Sequence, residues 1–162
     1  MATWREGPER RAKQYAERYD RVLQQELGFG YDGIVFSTNF QSAIKALRYQ
    51  PLYERERDIY VRLQENGVSR IAGFKVPKLM RADDELWVIE MEIVSPPFVL
   101  DFAGAYLDRA PDFPDEVMAE WRAEKREQFG TNWPIVQDVM REFRKLGIHL
   151  ADVKPGNITF RE

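Results

Sequence analysis

Three polar side chains fall within one short string, Asp152-Val153-Lys154-Pro155-Gly156-Asn157: a carboxylate, an ammonium two residues on and an amide five residues on. Groups of these kinds accept a proton, neutralise an anion and ligate a hard cation. The same string also suits a plain surface turn, since Pro-Gly and Asn are turn residues. A second stretch, Gly28-Phe29-Gly30-Tyr31-Asp32-Gly33-Ile34-Val35, is a glycine triplet. Without side chains in the way, its backbone N–H groups can approach a phosphate. An ordinary glycine-rich hairpin reads equally well from that loop alone. Two further charges stand out by their company. Lys45 lies inside the apolar run Ala43-Ile44-Lys45-Ala46-Leu47, and Glu56 lies four residues after Leu52 and three before Ile59.

These residues need elements to hold them. Ile34-Val35-Phe36 is β-branched and aromatic, so the glycine triplet is expected to join two strands. A dinucleotide-binding reading would need a helix immediately after Gly33, and this stretch argues against one. Ser42 to Leu47 reads as the next strand. Pro51 suits the first turn of a helix and Asn66-Gly67 its end, with Leu52, Ile59, Tyr60 and Leu63 on one stripe. Glu56 shares that stripe, while Arg55, Arg57 and Arg62 fall largely off it. A buried carboxylate left unpaired costs roughly 3–5 kcal/mol, so Glu56 either finds a cation, for which Lys45 is the candidate, or points to water at the stripe's edge. Ile71 to Leu79 and Glu85 to Val94 are expected as two strands around an Arg81-Ala82-Asp83-Asp84 turn. Ser95-Pro96-Pro97 then breaks regular structure, and Phe98 to Leu107 is expected as a short helix or turn. Asp115 to Gln128 reads as a solvated helix. Trp133 to Leu146 reads as the strongest helix, with Val136, Val139, Met140, Phe143 and Leu146 buried and Gly147 as its cap.

Taken together, glycine loop, strand Lys, helix Glu and D-x-K-x-x-N loop resemble the protein kinase family, in that order, over about Leu27 to Phe160, with an atypical insert between Asp108 and Gly130. The resemblance implies an ATP-binding cleft. In it Gly28, Gly30 and Gly33 would cover the phosphates, and Lys45, held by Glu56, would position them. Val35, Ala43 and Met91 would wall the nucleotide, and Glu92 and Val94 would offer backbone groups to the adenine. Asp152 would be the base, Lys154 would lie near the transferred phosphate as in Ser/Thr-directed members, and Asn157 would hold Mg2+. The departures are specific. Where the family has His-Arg-Asp this chain has Leu150-Ala151-Asp152, and no Asp-Phe-Gly or Ala-Pro-Glu follows. Asn157 alone is then expected as a metal ligand, which makes magnesium doubtful and leaves two readings. One is a Ser/Thr-type phosphotransferase relative with reduced or absent activity. The other is a pseudokinase-like regulatory or interaction module.

The expected fold is α+β, a minimal protein-kinase-like arrangement. A five-stranded antiparallel N-lobe with one helix (21–94) would be followed by a truncated helical C-lobe (95–162) and preceded by an amphipathic helix (1–20). That helix has a weak stripe of Ala12, Tyr15, Ala16 and Tyr19. A truncated C-lobe would expose apolar surface beneath Trp133 to Phe160, to be covered by the 1–20 helix, the 115–128 helix or a second subunit, giving a homodimer. The 162 residues suffice for one core or two small lobes, and 44% apolar with 31% charged residues is ordinary for a globular protein. A net charge of −3 gives no basic patch, so nucleic acid is not an expected partner. Without cysteine there is no disulfide framework or thiolate zinc site, and one His makes no His cluster. No apolar run is long enough to span a membrane, the N-terminus has no secretory core, and a cytoplasmic location is the default expectation. Nucleotide, and a protein substrate or regulatory partner, are the expected ligands.

Overall fold

Every residue of Ser42–Leu47 is buried. A strand covered along its whole length must have a layer on each face, and this requirement organises the molecule. The computed structural model describes residues 5–99, 102, 105–151 and 153–160. Five strands, β1 (Leu23–Phe29), β2 (Gly33–Thr38), β3 (Ser42–Leu47), β6 (Leu79–Asp83) and β7 (Val88–Glu92), form an antiparallel sheet in the order β1-β2-β3-β7-β6. Side chains alternate between its two faces. On one face Ile34, Ile44, Ala46 and Val88 pack against Ala12 and Tyr15 of α1 (Glu6–Arg18). On the other, Ala43, Leu47, Ile89 and Met91 join Tyr53, Ile59, Tyr60 and Leu63 of α2 (Gln50–Glu65) in the main core.

The sheet is therefore five-stranded and antiparallel as expected, but it carries two helices, one per face. The amphipathic N-terminal helix closes the sheet and not the C-terminal half. Polar contacts fix it there. Arg11 donates to the carbonyls of Leu86 (2.8 Å) and Leu47 (2.7 Å), with its guanidinium 4.8 Å from the Trp87 ring centre.

Between α2 and the second half, the expected long strand from Ile71 to Leu79 is replaced by a hairpin of two short strands, β4 (Arg70–Ile71) and β5 (Phe74–Lys75). Arg81, Ala82 and Asp83 belong to β6, so the turn comes after them and not across them. The 98–107 stretch is also not helical where described. It supplies β8 (Phe98–Val99) and β9 (Tyr106–Leu107). The charged helix α3 (Asp115–Phe129) is mostly exposed, but Trp121 and Phe129 pack on Trp133.

Helix α4 (Trp133–Lys145) begins with Pro134 at a first-turn position and buries Trp133, Val136, Val139 and Phe143. Gly147, at φ 76°, caps it in the left-handed region that glycine tolerates. The chain continues into β10 (Ile148–His149), paired with β9, and β11 (Ile158–Thr159), paired with β8. Since β8 also pairs with β5, the order β11-β8-β5-β4 stitches the last segment to the hairpin behind α2. Aromatic rings continue the seam, Tyr60–Phe102 at 5.2 Å and Phe102–Phe143 at 5.6 Å between centres. One apolar cluster thus runs from α2 to α4 and fixes the loop after α4 relative to the sheet. Among the described residues no helix is long and apolar enough to cross a membrane.

Candidate active site

Strand alternation turns Val35, Ala43, Lys45 and Met91 to the α2 face of the sheet. Glu56 meets them there because it sits on the buried side of α2 with Tyr53, Ile59, Tyr60 and Leu63. The Lys45 ammonium donates to Glu56 Oε1 at 3.1 Å, with side chains 7% and 2% exposed. Glu56 therefore faces inward to a cation and not to water.

Beside this pair opens a cavity of about 450 Å3, within the size range of small-molecule sites. The structure brings nine of the expected residues to it: Gly28, Val35, Ala43, Lys45, Glu56, Met91, Glu92, Val94 and Asn157. Asn157 is 7% exposed, and a turn places it, its N–H donating to the Lys154 carbonyl at 2.9 Å. Tyr60 donates to Met91 Sδ at 3.1 Å, which pins the cavity's back wall.

Other expected residues lie elsewhere. Gly30 and Gly33 are not in the lining. The Gly30 N–H donates to the Gly33 carbonyl at 3.1 Å and closes the β1–β2 turn. Gly33 has a packing reason to be glycine, since a Cβ there would run into the carbonyl of Ala46 on β3. Lys154 is exposed and outside the lining, and Asp152 lies outside the described residues. The Glu92 N–H donates to the Lys78 carbonyl at 3.0 Å. What Glu92 can present to a ligand is therefore its carbonyl.

Sequence reasoning missed Leu27, Tyr60, Pro77, Ile93, Phe98 and Gly156, which complete the lining. Tyr60 could have been found, because it follows Glu56 by one helical turn and shares its face. Leu27 adjoins the glycine triplet, but Pro77 and Phe98 arrive through long-range pairing with no local signal. Also missed was Glu90, fully buried on the opposite face of β7. It accepts from Tyr15 Oη (2.6 Å), Arg21 Nε (2.8 Å) and Ser42 Oγ (2.7 Å). Burial alone would raise its pKa, but these donors outweigh burial and hold it below the ordinary glutamate value.

The arrangement can hold a flat ring between the sheet wall of Leu27, Val35, Ala43 and Met91 and the Phe98 side of the cavity, with the Lys45–Glu56 pair beside it. Magnesium asks for near-octahedral oxygen ligands; of the residues expected around it, Asn157 lines the cavity and Asp152 lies outside the described residues.

Sheet and cleft define a mixed α+β protein with a buried Lys–Glu pair at the wall of a ligand-sized cavity. No family model matches the chain, and comparison with curated proteins finds none similar to it. Among solved structures, the streptomycin–ATP–APH(2")-IIa ternary complex is similar at TM-score 0.42 and 13% identity, over 83% of this chain. The chain spans 40% of the length of that one.

Proposed function

We propose that the cleft binds ATP and that the chain is a protein-kinase-like phosphotransferase relative of Ser/Thr type with reduced or absent activity. The observation that carries this reading is the Lys45–Glu56 pair at 3.1 Å inside the cavity shared by Gly28 and Asn157. In the mechanism, apolar side chains from β1, β2, β3 and β7 cover one face of the adenine, and Phe98 stands toward the other. The Glu92 carbonyl accepts from its amino group and the Val94 backbone completes the contact. Gly28 lets the chain pass close over the phosphates, and Lys45, oriented by Glu56, holds the negative charge. Asp152 takes the acceptor proton and Lys154 offsets charge on the transferred group.

Leu150-Ala151, where the family has His-Arg, favours a second reading, a pseudokinase-like module that binds nucleotide without transfer. Thermal shift with ATP, with and without magnesium, tests both. Ligand at about 100 times its dissociation constant stabilises by roughly 2.7 kcal/mol. A shift with ATP that magnesium does not change supports the module. A magnesium-dependent shift, with label transfer from ATP lost in Asp152→Asn, supports the enzyme. No shift under either condition removes nucleotide from both accounts.

A further inference from the structure

A second cavity, of about 360 Å3, lies between α3, α4 and the strand leading into the 150–157 loop, and it shares no lining residue with the first. Phe113, Met118, Trp121 and Met140 form its body. Two aromatic faces and two adaptable thioethers suit a flat or branched apolar group. Phe113 is half exposed (50%), and Val117 beside it is 45% exposed. Such a surface is an unfavourable one to leave against water.

Arg144 brings a positive charge to this cavity, beside the polar Tyr106 and His149. Arg144 and His149 line it, and they also line an adjoining shallow pocket with Arg62, Lys145 and Asp108. Arg62 already binds Asp108 with both nitrogens, at 2.6 and 2.8 Å, and Lys145 pairs with Glu142 at 2.8 Å. Arg144 thus stands at the rim with nearby charges largely offset, and the rim complements an anion. The opposite boundary is Leu150 and Ala151, the two residues before Asp152.

We infer that this cavity binds a small amphiphile, with an aromatic or branched apolar body in the pocket and one anionic group at Arg144. A molecule seated there lies against the start of the loop that holds Asp152, on a side the nucleotide cavity does not occupy. Its being the acceptor's seat rests on the role proposed above for Asp152. The binding itself does not.

Anilinonaphthalene sulfonate and its uncharged relative phenylnaphthylamine are the probes, titrated by fluorescence against the full chain. Both are expected to bind saturably at one site. Val117→Asp, on an exposed helix position, should weaken both by about tenfold or more, and Phe113→Ser serves if that variant melts early. Arg144→Ala should weaken the sulfonate several-fold and leave the amine unchanged. Absence of saturable binding, or binding indifferent to both pocket variants, overturns the site. Equal losses for the two dyes in Arg144→Ala overturn the anionic ligand. The ATP thermal shift measured in the same variants keeps the two readings apart. If ATP gives no shift in any of them while the dyes behave as expected, the nucleotide reading fails and the amphiphile site stands.

Discussion

Lys45 on β3 and Glu56 on α2 meet at 3.1 Å with almost no solvent around them. Breaking a buried pair from one side costs more than the pair is worth, because the remaining charge is left in a poorly polar environment. Glu56→Ala is therefore expected to destabilise by up to roughly 3–5 kcal/mol in urea unfolding. The double replacement Lys45→Met with Glu56→Leu removes both charges and should recover most of that loss. It should not recover any ATP-induced thermal shift. Recovery of both would mean that the pair only packs, and the nucleotide reading would lose its main support.

The three glycines of the β1–β2 turn are expected to behave differently. Gly33→Ala drives a methyl group into the Ala46 carbonyl, a backbone atom that cannot swing aside. Overpacking of this kind costs about 1–3 kcal/mol, sometimes more. Gly28 and Gly30 have no atom within 4 Å of an added Cβ. Gly28→Ala and Gly30→Ala should therefore leave the melting temperature close to that of the parent. Of these two, Gly28→Ala should weaken the ATP shift, because Gly28 lines the cavity and Gly30 does not. Unchanged ATP response in Gly28→Ala would remove this turn from the phosphate site.

Acid should act on the molecule through Glu90. Its folded pKa is held below the ordinary glutamate value by Tyr15, Arg21 and Ser42, against the upward push of burial. For a depressed carboxylate the stabilisation is fully present above the unfolded value and is lost as pH falls through the folded one. The urea midpoint of the parent should thus fall as pH drops below about 4.5. Glu90→Gln, which cannot ionise, should be less stable at neutral pH and show a shallower acid dependence. Asp83 and Asp84 are also depressed, chiefly against burial by Tyr19 for the first and directly by Tyr53 for the second, so some acid dependence persists in the variant. Parallel curves for the two proteins would show that Glu90 does not carry the effect.

Local pattern made α2 and α4 legible, since each has a buried face at helical period, and β3 was legible as a short apolar run after a turn. The pairing of Lys45 with Glu56 was legible for a related reason: two opposite charges, each set on an apolar face, are each costly alone. The short strands at 98–99 and 106–107 were not legible. Their partners are distant in sequence, and two residues carry no periodicity. Arg81 to Asp83 resembled a turn by composition, yet it is strand because pairing with Val88–Glu90 overrides the local preference. The stripe of α1 was visible, but not which surface it covers. That choice depends on Arg11 reaching the Leu86 and Leu47 carbonyls and on Glu90 waiting beneath Tyr15.

Arg62 and Gly147 show how small a visible ion pair can be beside the backbone that seats it. Arg62 reaches from α2 to Asp108, at 2.6 and 2.8 Å, and to the Leu146 carbonyl at 3.3 Å. Hydrogen bonding from Arg62 holds Asp108 below the usual carboxylate range. Yet the Asp108 side chain is 67% exposed, and exposed pairs contribute only about 0.2–1 kcal/mol. Gly147 faces two demands at once. Its φ of 76° disfavours any side chain, and an added Cβ would meet the Asp108 carboxylate and lie 2.7 Å from Arg62 Nη1. Gly147→Ala is therefore expected to destabilise more than Arg62→Ala, because it strains the helix cap and evicts the pair together. Raised salt should remove the share of each deficit that comes from the ion pair, nearly closing the gap between the parent and Arg62→Ala while leaving the cap strain of Gly147→Ala in place. Urea unfolding of the three proteins at low and high salt reads this directly. Should Arg62→Ala prove the more damaging at high salt, the seat at Gly147 is pliable and the ion pair is what holds α2 to the end of α4.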